Sequence, residues 1–195
     1  MSGSENELKL CKFLLEKYAD IINEREKRTI GEIKALVDGS DLTVQSIIED
    51  FKDAGYVFDS DYESSLKQVF DFVKKEVSFV DVDLNVNYWL SPREIIEVKV
   101  ADDEDFAVFL CAAMKSLGDS KAEVIIAELD NLKTHAFVST ELKNDFLILD
   151  PAQEHNFEEY KGTKIEVIKK YSFQKQKIKR FLYRFNSDKY EQFLE

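Results

Sequence analysis

Little in this sequence breaks secondary structure or crosslinks it. Among 195 residues there are 6 glycines, 2 prolines and 2 cysteines. So little glycine and proline excludes collagen-like and low-complexity architectures, and disorder is not expected beyond the first few residues. Cys11 and Cys111 are too few for a disulfide framework. Each falls on an apolar helical stripe, which predicts two buried thiols in a reducing cytoplasm. No apolar run approaches the ~20 residues of a membrane span, and residues 1–7 lack the basic and apolar regions of a signal peptide. A cytoplasmic protein without membrane association is expected. Positive charge is also scarce. A net charge of −12 argues against nucleic acid as the main partner, because phosphate binding needs clustered cations.

What is present is 44% hydrophobic and 34% charged residues, enough for a real core in one domain or one domain with a small appendage. Four segments match a capping box, in which two orphan backbone donors are satisfied reciprocally: Ser4/Glu7, Thr29/Glu32, Ser60/Glu63 and Ser91/Glu94. The last has Pro92 at the first helical position. A first helix to about Arg28 carries Leu8, Cys11, Leu15, Tyr18 and Ile22 on one stripe. A second turns Ile30, Ile33, Leu36 and Val37 inward, and a third turns Val44, Ile47, Ile48 and Phe51 inward before Gly55 stops it. A fourth carries Leu66, Val69, Phe70, Val73 and Val77. Strict alternation over 80–88 predicts a half-buried strand. After a helix at 103–117, strands fit 121–129, 133–140, 145–150, 164–171 and 177–186, and a short helix fits 188–194. This order is α+β with an antiparallel sheet. The expected division is a helical N-terminal subdomain, 1–57, followed by an α+β domain, 58–195.

Charge is uneven. Residues 161–184 hold nine Lys or Arg against Glu166 alone, a local +8 that leaves −20 elsewhere. The simpler reading is a solvated strand pair whose lysines discourage edge pairing. The other is a docking face for an acidic partner. Residues 29–57 resemble the helix-turn-helix half of a winged-helix domain. The second helix there, from Val44 to Asp53, carries three acids and one base, the wrong sign for reading DNA.

His135 and Asp150 belong to a predicted hairpin. A four-residue loop at 141–144 would put them directly opposite, with Cβ atoms about 5 Å apart. Strand alternation groups His135, Phe137 and Ser139 with Phe146, Ile148 and Asp150 on one face, and apolar residues fill the other. A His–Asp pair inside such a sheet is costly unless its members satisfy each other.

Upstream, residues 102–105 read Asp-Asp-Glu-Asp, followed by Phe106, Ala107 and an apolar helical run to Gly118. This block, with His135 and Asp150 on two following strands, resembles the transglutaminase-like (papain-like cysteine protease) superfamily. There a Gly-Asp-Cys-Glu-Asp-x-Ala block opens a helix packed on an antiparallel sheet, the Cys is the nucleophile, the His takes its proton and the Asp orients the His. The resemblance covers roughly 60–160. It puts Asp103 at the nucleophile position, substituted, and Ala101 where the family has Gly. It also puts Trp89, in the stretch ending Ser91-Pro92, at the border of the cleft. Cys111 lies about 12 Å further along the helix and faces the core, so it does not stand in for the missing thiol.

The resemblance therefore implies a catalytically inactive protein whose old cleft serves as a peptide-binding, protein-binding or scaffolding surface, and it calls for no cofactor. An alternative is altered chemistry, in which Asp103, His135 and Asp150 supply the ligand set of a divalent metal in a hydrolase. A DNA-associated regulator acting through 29–57 is the third.

Overall fold

The computed structural model describes residues 3–23, 29–81 and 88–194. Four helices come first: α1 (Gly3–Asn23), α2 (Ile30–Leu36), α3 (Leu42–Glu49) and α4 (Phe58–Glu76). A short parallel pair, β1 (Ser78–Phe79) and β2 (Val100–Ala101), brackets α5 (Pro92–Val98). Then come α6 (Asp103–Ser116) and the strands β3 (Glu123–Leu129), β4 (Thr134–Leu142) and β5 (Asp145–Leu149). The chain closes with β6 (Lys161–Gly162), α7 (Lys164–Lys170), β7 (Ile178–Phe185) and β8 (Tyr190–Gln192). Strands β3 to β8 form one antiparallel sheet in the order β6-β5-β4-β3-β7-β8. The fold is α+β with helices leading, as the sequence indicates.

α6 is the axis of the core. Every residue from Asp105 to Met114 is buried, the signature of a helix covered on all sides. It packs on β3 and β4 and meets α2, α3, α4 and α5. The turn between α2 and α3 approaches its end so closely that a Cβ on Gly39 would lie 2.7 Å from the Ser116 nitrogen. Glycine is therefore required there. Among the described residues no helix is long and apolar enough to cross a membrane.

The capping boxes at Thr29/Glu32 and Ser91/Glu94 form. The one at Ser60/Glu63 does not, because α4 starts from Val57, whose N–H donates to Asp61 rather than leaving Ser60 to cap; the Ser4 side chain lies outside the described residues. α1 buries Leu10 and Leu14, while Leu8 and Leu15 are 55% and 59% exposed and Cys11 is half-buried. The helix is thus rotated from the expected stripe, because two apolar sets share its surface. α2 leaves Ile30 48% exposed and commits Val37 to the core. α3 ends at Glu49, before Gly55, in successive turns closed by backbone bonds from Phe51 and Tyr56.

Two strand or helix expectations change, and a third lies largely outside the described residues. Residues 82–87 of the expected strand at 80–88 lie outside the described residues. Residues 164–170 are helical, because Thr163 and Glu166 form a third capping box. Only Val167 of that helix is buried, so its short β-branched alternation imitates a strand. Residues 190–192 are a strand, because the Asn186 side chain accepts the N–H groups of Asp188 and Lys189 and turns the chain back along β7.

The hairpin has a two-residue loop, Lys143–Asn144, with Lys143 at φ 56°. Leu142 lies opposite Asp145 and Val138 opposite Leu149, a register two residues away from the expected one. An even shift preserves the face of every side chain, so His135 and Asp150 still share a face and meet on the diagonal.

The basic stretch is largely neutralised within the fold. Lys179 and Arg180 pair with Glu128 at 2.6 and 3.0 Å, Arg184 with Glu191 at 2.6 Å, and Lys161 with Glu63. The Lys177 ammonium donates to the carbonyls of Lys169, Lys170 and Tyr171, a cation at the C-terminus of α7, where the helix dipole favours it.

Candidate functional site

Asp102 caps α6, accepting the Asp105 N–H at 3.0 Å. With that donor satisfied, Asp103 at the first helical position reaches the start of β4. Its Oδ2 lies 2.7 Å from His135 Nδ1 and also accepts the Ala136 N–H at 2.7 Å. On the other side of the ring, His135 Nε2 lies 3.0 Å from Asp150 Oδ2. The His135 and Asp150 side chains are each 1% exposed, and Asp103 is 23% exposed. The three residues singled out in the sequence therefore meet, as an imidazole clasped between two carboxylates.

Asp150 is held from several directions. Its Oδ2 accepts Tyr171 Oη at 2.7 Å and Gln153 Nε2 at 2.6 Å, and its Oδ1 accepts the Ala152 N–H at 3.1 Å. His155 accepts the Asp150 N–H at Nε2, 3.1 Å away, and its Nδ1 faces the Asn156 carbonyl at 3.0 Å. Phe173 stacks on the His135 ring at 3.6 Å between centroids and 12° between planes. It is carried by a tight turn in which Gln174 and Lys175 both adopt positive φ, 49° and 70°, and Gln174 donates to Asp81 at 3.0 Å. The pocket left beside Asp103 and His135 is about 60 Å³, against roughly 300 Å³ and more for pockets that bury drug-sized ligands.

Trp89 does not border this pocket. It packs on Phe185 at 5.8 Å and lines a separate hollow against α2. The metal-ligand reading gains no support from this geometry. Asp103 and Asp150 bind opposite nitrogens of one imidazole, whose lone pairs diverge, so no single ion can touch all three. Among the described residues no group of three or more His, Cys, Asp or Glu could hold a metal.

Residues 42–179 match the family described as transglutaminase-like domain. The chain belongs to this family. No curated protein matches it. Among solved structures, Legionella pneumophila LapG is 17% identical, with a TM-score of 0.54 over 85% of this chain and 88% of its own. Its calcium-bound form is 16% identical, with a TM-score of 0.55 over 98% and 88%. At such identity the likeness is one of fold.

The electrostatics of this transglutaminase-like domain follow from burial and pairing. Burial alone would depress the His135 pKa. The Asp150 charge and hydrogen bonds to Asp103 and Asp150 outweigh it and raise the pKa to about 9. Burial works against Asp150 ionising, yet His135 and the Tyr171 hydroxyl hold its pKa below the usual carboxylate range. Tyr171 is pushed up by burial and by the Asp150 charge. At the helix start, burial and the neighbouring Asp103 charge raise Asp102 to about 7. Burial, then the Asp102 charge, also raises Glu104 and Asp105. Asp105 Oδ1 accepts the Leu90 N–H at 2.7 Å, which ties α6 to the segment before α5. Cys111 is fully buried and its thiol is pushed up by that burial.

Tyr171, Phe173, Gln153 and His155 were not legible as site residues. Tyr171 and Phe173 fall at and beyond the end of a segment that resembles a strand, and the last two lie in a loop without pattern. The only available sign was their position shortly after Asp150-Pro151.

Proposed function

We propose that this chain is a catalytically inactive transglutaminase-like protein, with Asp103 where the family carries its nucleophilic Cys. The carrying observation is the 2.7 Å contact between Asp103 Oδ2 and His135 Nδ1. A general base needs a nitrogen free to take a proton. Here both nitrogens face carboxylates, and a pKa of about 9 keeps the imidazole protonated at neutral pH. A nucleophilic role for Asp103 is opposed by its two hydrogen bonds and by its charge beside any forming oxyanion. Phe173 closes one face of the ring, and the remaining 60 Å³ admits no substrate chain.

On this reading the rim of the closed cleft, including Asn131, Thr134, Gln174 and Gln176, is a surface for a peptide segment or partner protein. A nucleic-acid partner has less support, because the exposed residues of α3 include Gln45, Ser46 and Glu49 but no cation. A cytoplasmic setting is part of the proposal, supported by the free thiols of Cys11 and Cys111. LapG is described in a calcium-bound form. Among the described residues here no group of three or more His, Cys, Asp or Glu could hold a metal, and no step involves one.

The test is Asp103→Cys. The new thiol should react with iodoacetamide at neutral pH faster than Cys11 or Cys111, and His135→Ala in that background should slow it. Wild-type protein should turn over no peptide or ester substrate. Wild-type hydrolysis that His135→Ala abolishes would overturn the inactive reading. For the binding half, wild-type signal on an array of extended peptides should disappear with Asn131→Arg; an array without signal removes that half.

A further inference from the structure

A second hollow lies away from His135, between α2 and the far strands of the sheet. Trp89, Tyr183, Phe185 and Tyr190 wall a pocket of about 240 Å³, closed on the helix side by Ile30, Ile33 and Lys34. Trp89 is 5% exposed and is braced on Phe185 at 5.8 Å, while Tyr183 and Tyr190 stack with 27° between their planes. Ile30 remains 48% exposed at the start of a helix, so apolar surface borders the opening. Four aromatic rings facing one space favour a planar ring as occupant, through offset and edge contacts.

Among the described residues Lys34 supplies the only charge in this lining. The residue is half-buried, and its ammonium makes no hydrogen bond or ion pair among the described residues. Asp188 feels its charge, but that carboxylate is already bound by Lys115 at 2.6 Å. A cation that has no partner among the described residues and lies against an aromatic pocket selects an anion joined to a ring. The volume admits one ring with a short acidic arm and little more.

We propose that this pocket binds a small aromatic carboxylate, its ring between Trp89 and the Tyr183–Tyr190 pair and its carboxylate on Lys34 Nζ. The site is independent of the Asp103–His135–Asp150 cluster, and its test does not depend on that cluster's activity.

Trp89 is the single tryptophan of the chain, so its emission reports on the pocket directly. Full-length protein would be titrated with 3-phenylpropionate, with 3-phenylpropionamide and butyrate as controls. A saturable change in Trp89 emission is expected, with Kd between about 0.1 and 5 mM for a ligand of this size. Lys34→Met should weaken binding about ten- to a hundredfold with an unchanged circular dichroism spectrum; Lys34→Gln serves if that variant misfolds. The amide and butyrate should each bind more weakly than the acid. No saturable change, or equal affinity for acid and amide, would overturn the proposal, as would full affinity in the Lys34 variant. Emission that shifts on diluting the protein without ligand would also overturn it, since a second copy would then be the occupant.

Discussion

Raising the pH from 6 to 10 should cost this protein stability, and His135 should account for a defined part of the loss. Folded, its pKa is about 9; in an unfolded chain histidine titrates near 6.5. A raised pKa means the fold holds the proton more tightly, so the stabilisation is complete below about pH 6.5 and is lost as pH rises through 9. The gap corresponds to about 3 kcal/mol, a large share of the 5–15 kcal/mol of a typical domain. Asp102, raised to about 7, adds in the same direction at lower pH. Between about 4 and 7 its folded form keeps a proton that the unfolded chain has released, so stability again falls as pH rises. Asp150, lowered by His135, acts oppositely and penalises acid. The maximum should therefore lie at mildly acidic pH. Urea unfolding followed by circular dichroism at pH 5, 7, 8 and 9.5 measures the curve, and the His135 ring resonances locate the titration. His135→Asn should flatten the limb between 6.5 and 9, and Asp102→Asn the limb below 7. A wild-type curve flat from 6.5 to 9 would refute the clasped-imidazolium account, as would an unchanged slope in His135→Asn.

Gly39→Ala should destabilise the fold by about 1–3 kcal/mol, because its Cβ would meet the backbone at Ser116. Gly31→Ala should gain about 0.5–1 kcal/mol, since its Cβ meets only Thr29 Oγ1 at 3.8 Å; urea midpoints compare the two. Lys177→Met should cost about 1 kcal/mol and speed amide exchange at the end of α7, where three carbonyls lose their donor. Maleimide should modify half-buried Cys11 well before Cys111 in native protein, and early modification of Cys111 by mass mapping would contradict its burial.

The parts of this fold that were legible are those where one physical signal dominated. α6 is apolar on every side behind a run of acids at the dipole's positive end, and β3 to β5 have unambiguous apolar faces. The clasp on His135 survived a two-residue error in register because pairing parity, not loop length, sets the face of a strand. Legibility failed where two signals competed. Thr163 and Glu166 have the same spacing as Thr29 and Glu32, yet Ile165 and Val167 also alternate like a strand; the cap decided, since a seven-residue segment burying only Val167 has little packing to oppose it. In α1 either Leu8 and Leu15 or Leu10 and Leu14 could have faced inward, and only the shape of the core selects the second pair. Trp89 packs on Phe185 and lines a pocket separate from that of His135, while its neighbour Leu90 is anchored by its N–H on Asp105, contacts that no periodicity encodes.

A carboxylate beside an imidazole differs from a thiol there in one decisive respect. A thiol becomes an anion only by giving its proton to the histidine, and either partner can take it back, so the pair is poised for chemistry. A carboxylate reaches its anionic form without help from its neighbour. At Asp103 that anion lies where the helix dipole favours it and where the Ala136 N–H and His135 Nδ1 both point at it. The charge pattern of a thiolate–imidazolium pair is kept, and the exchange of a proton within it is removed. His135, flanked on its other side by Asp150, then has only two weakly basic carboxylates beside it. On the proposed reading, what would be a reaction centre becomes a tie between the start of α6 and the β4–β5 hairpin, with Phe173 closing the space above it.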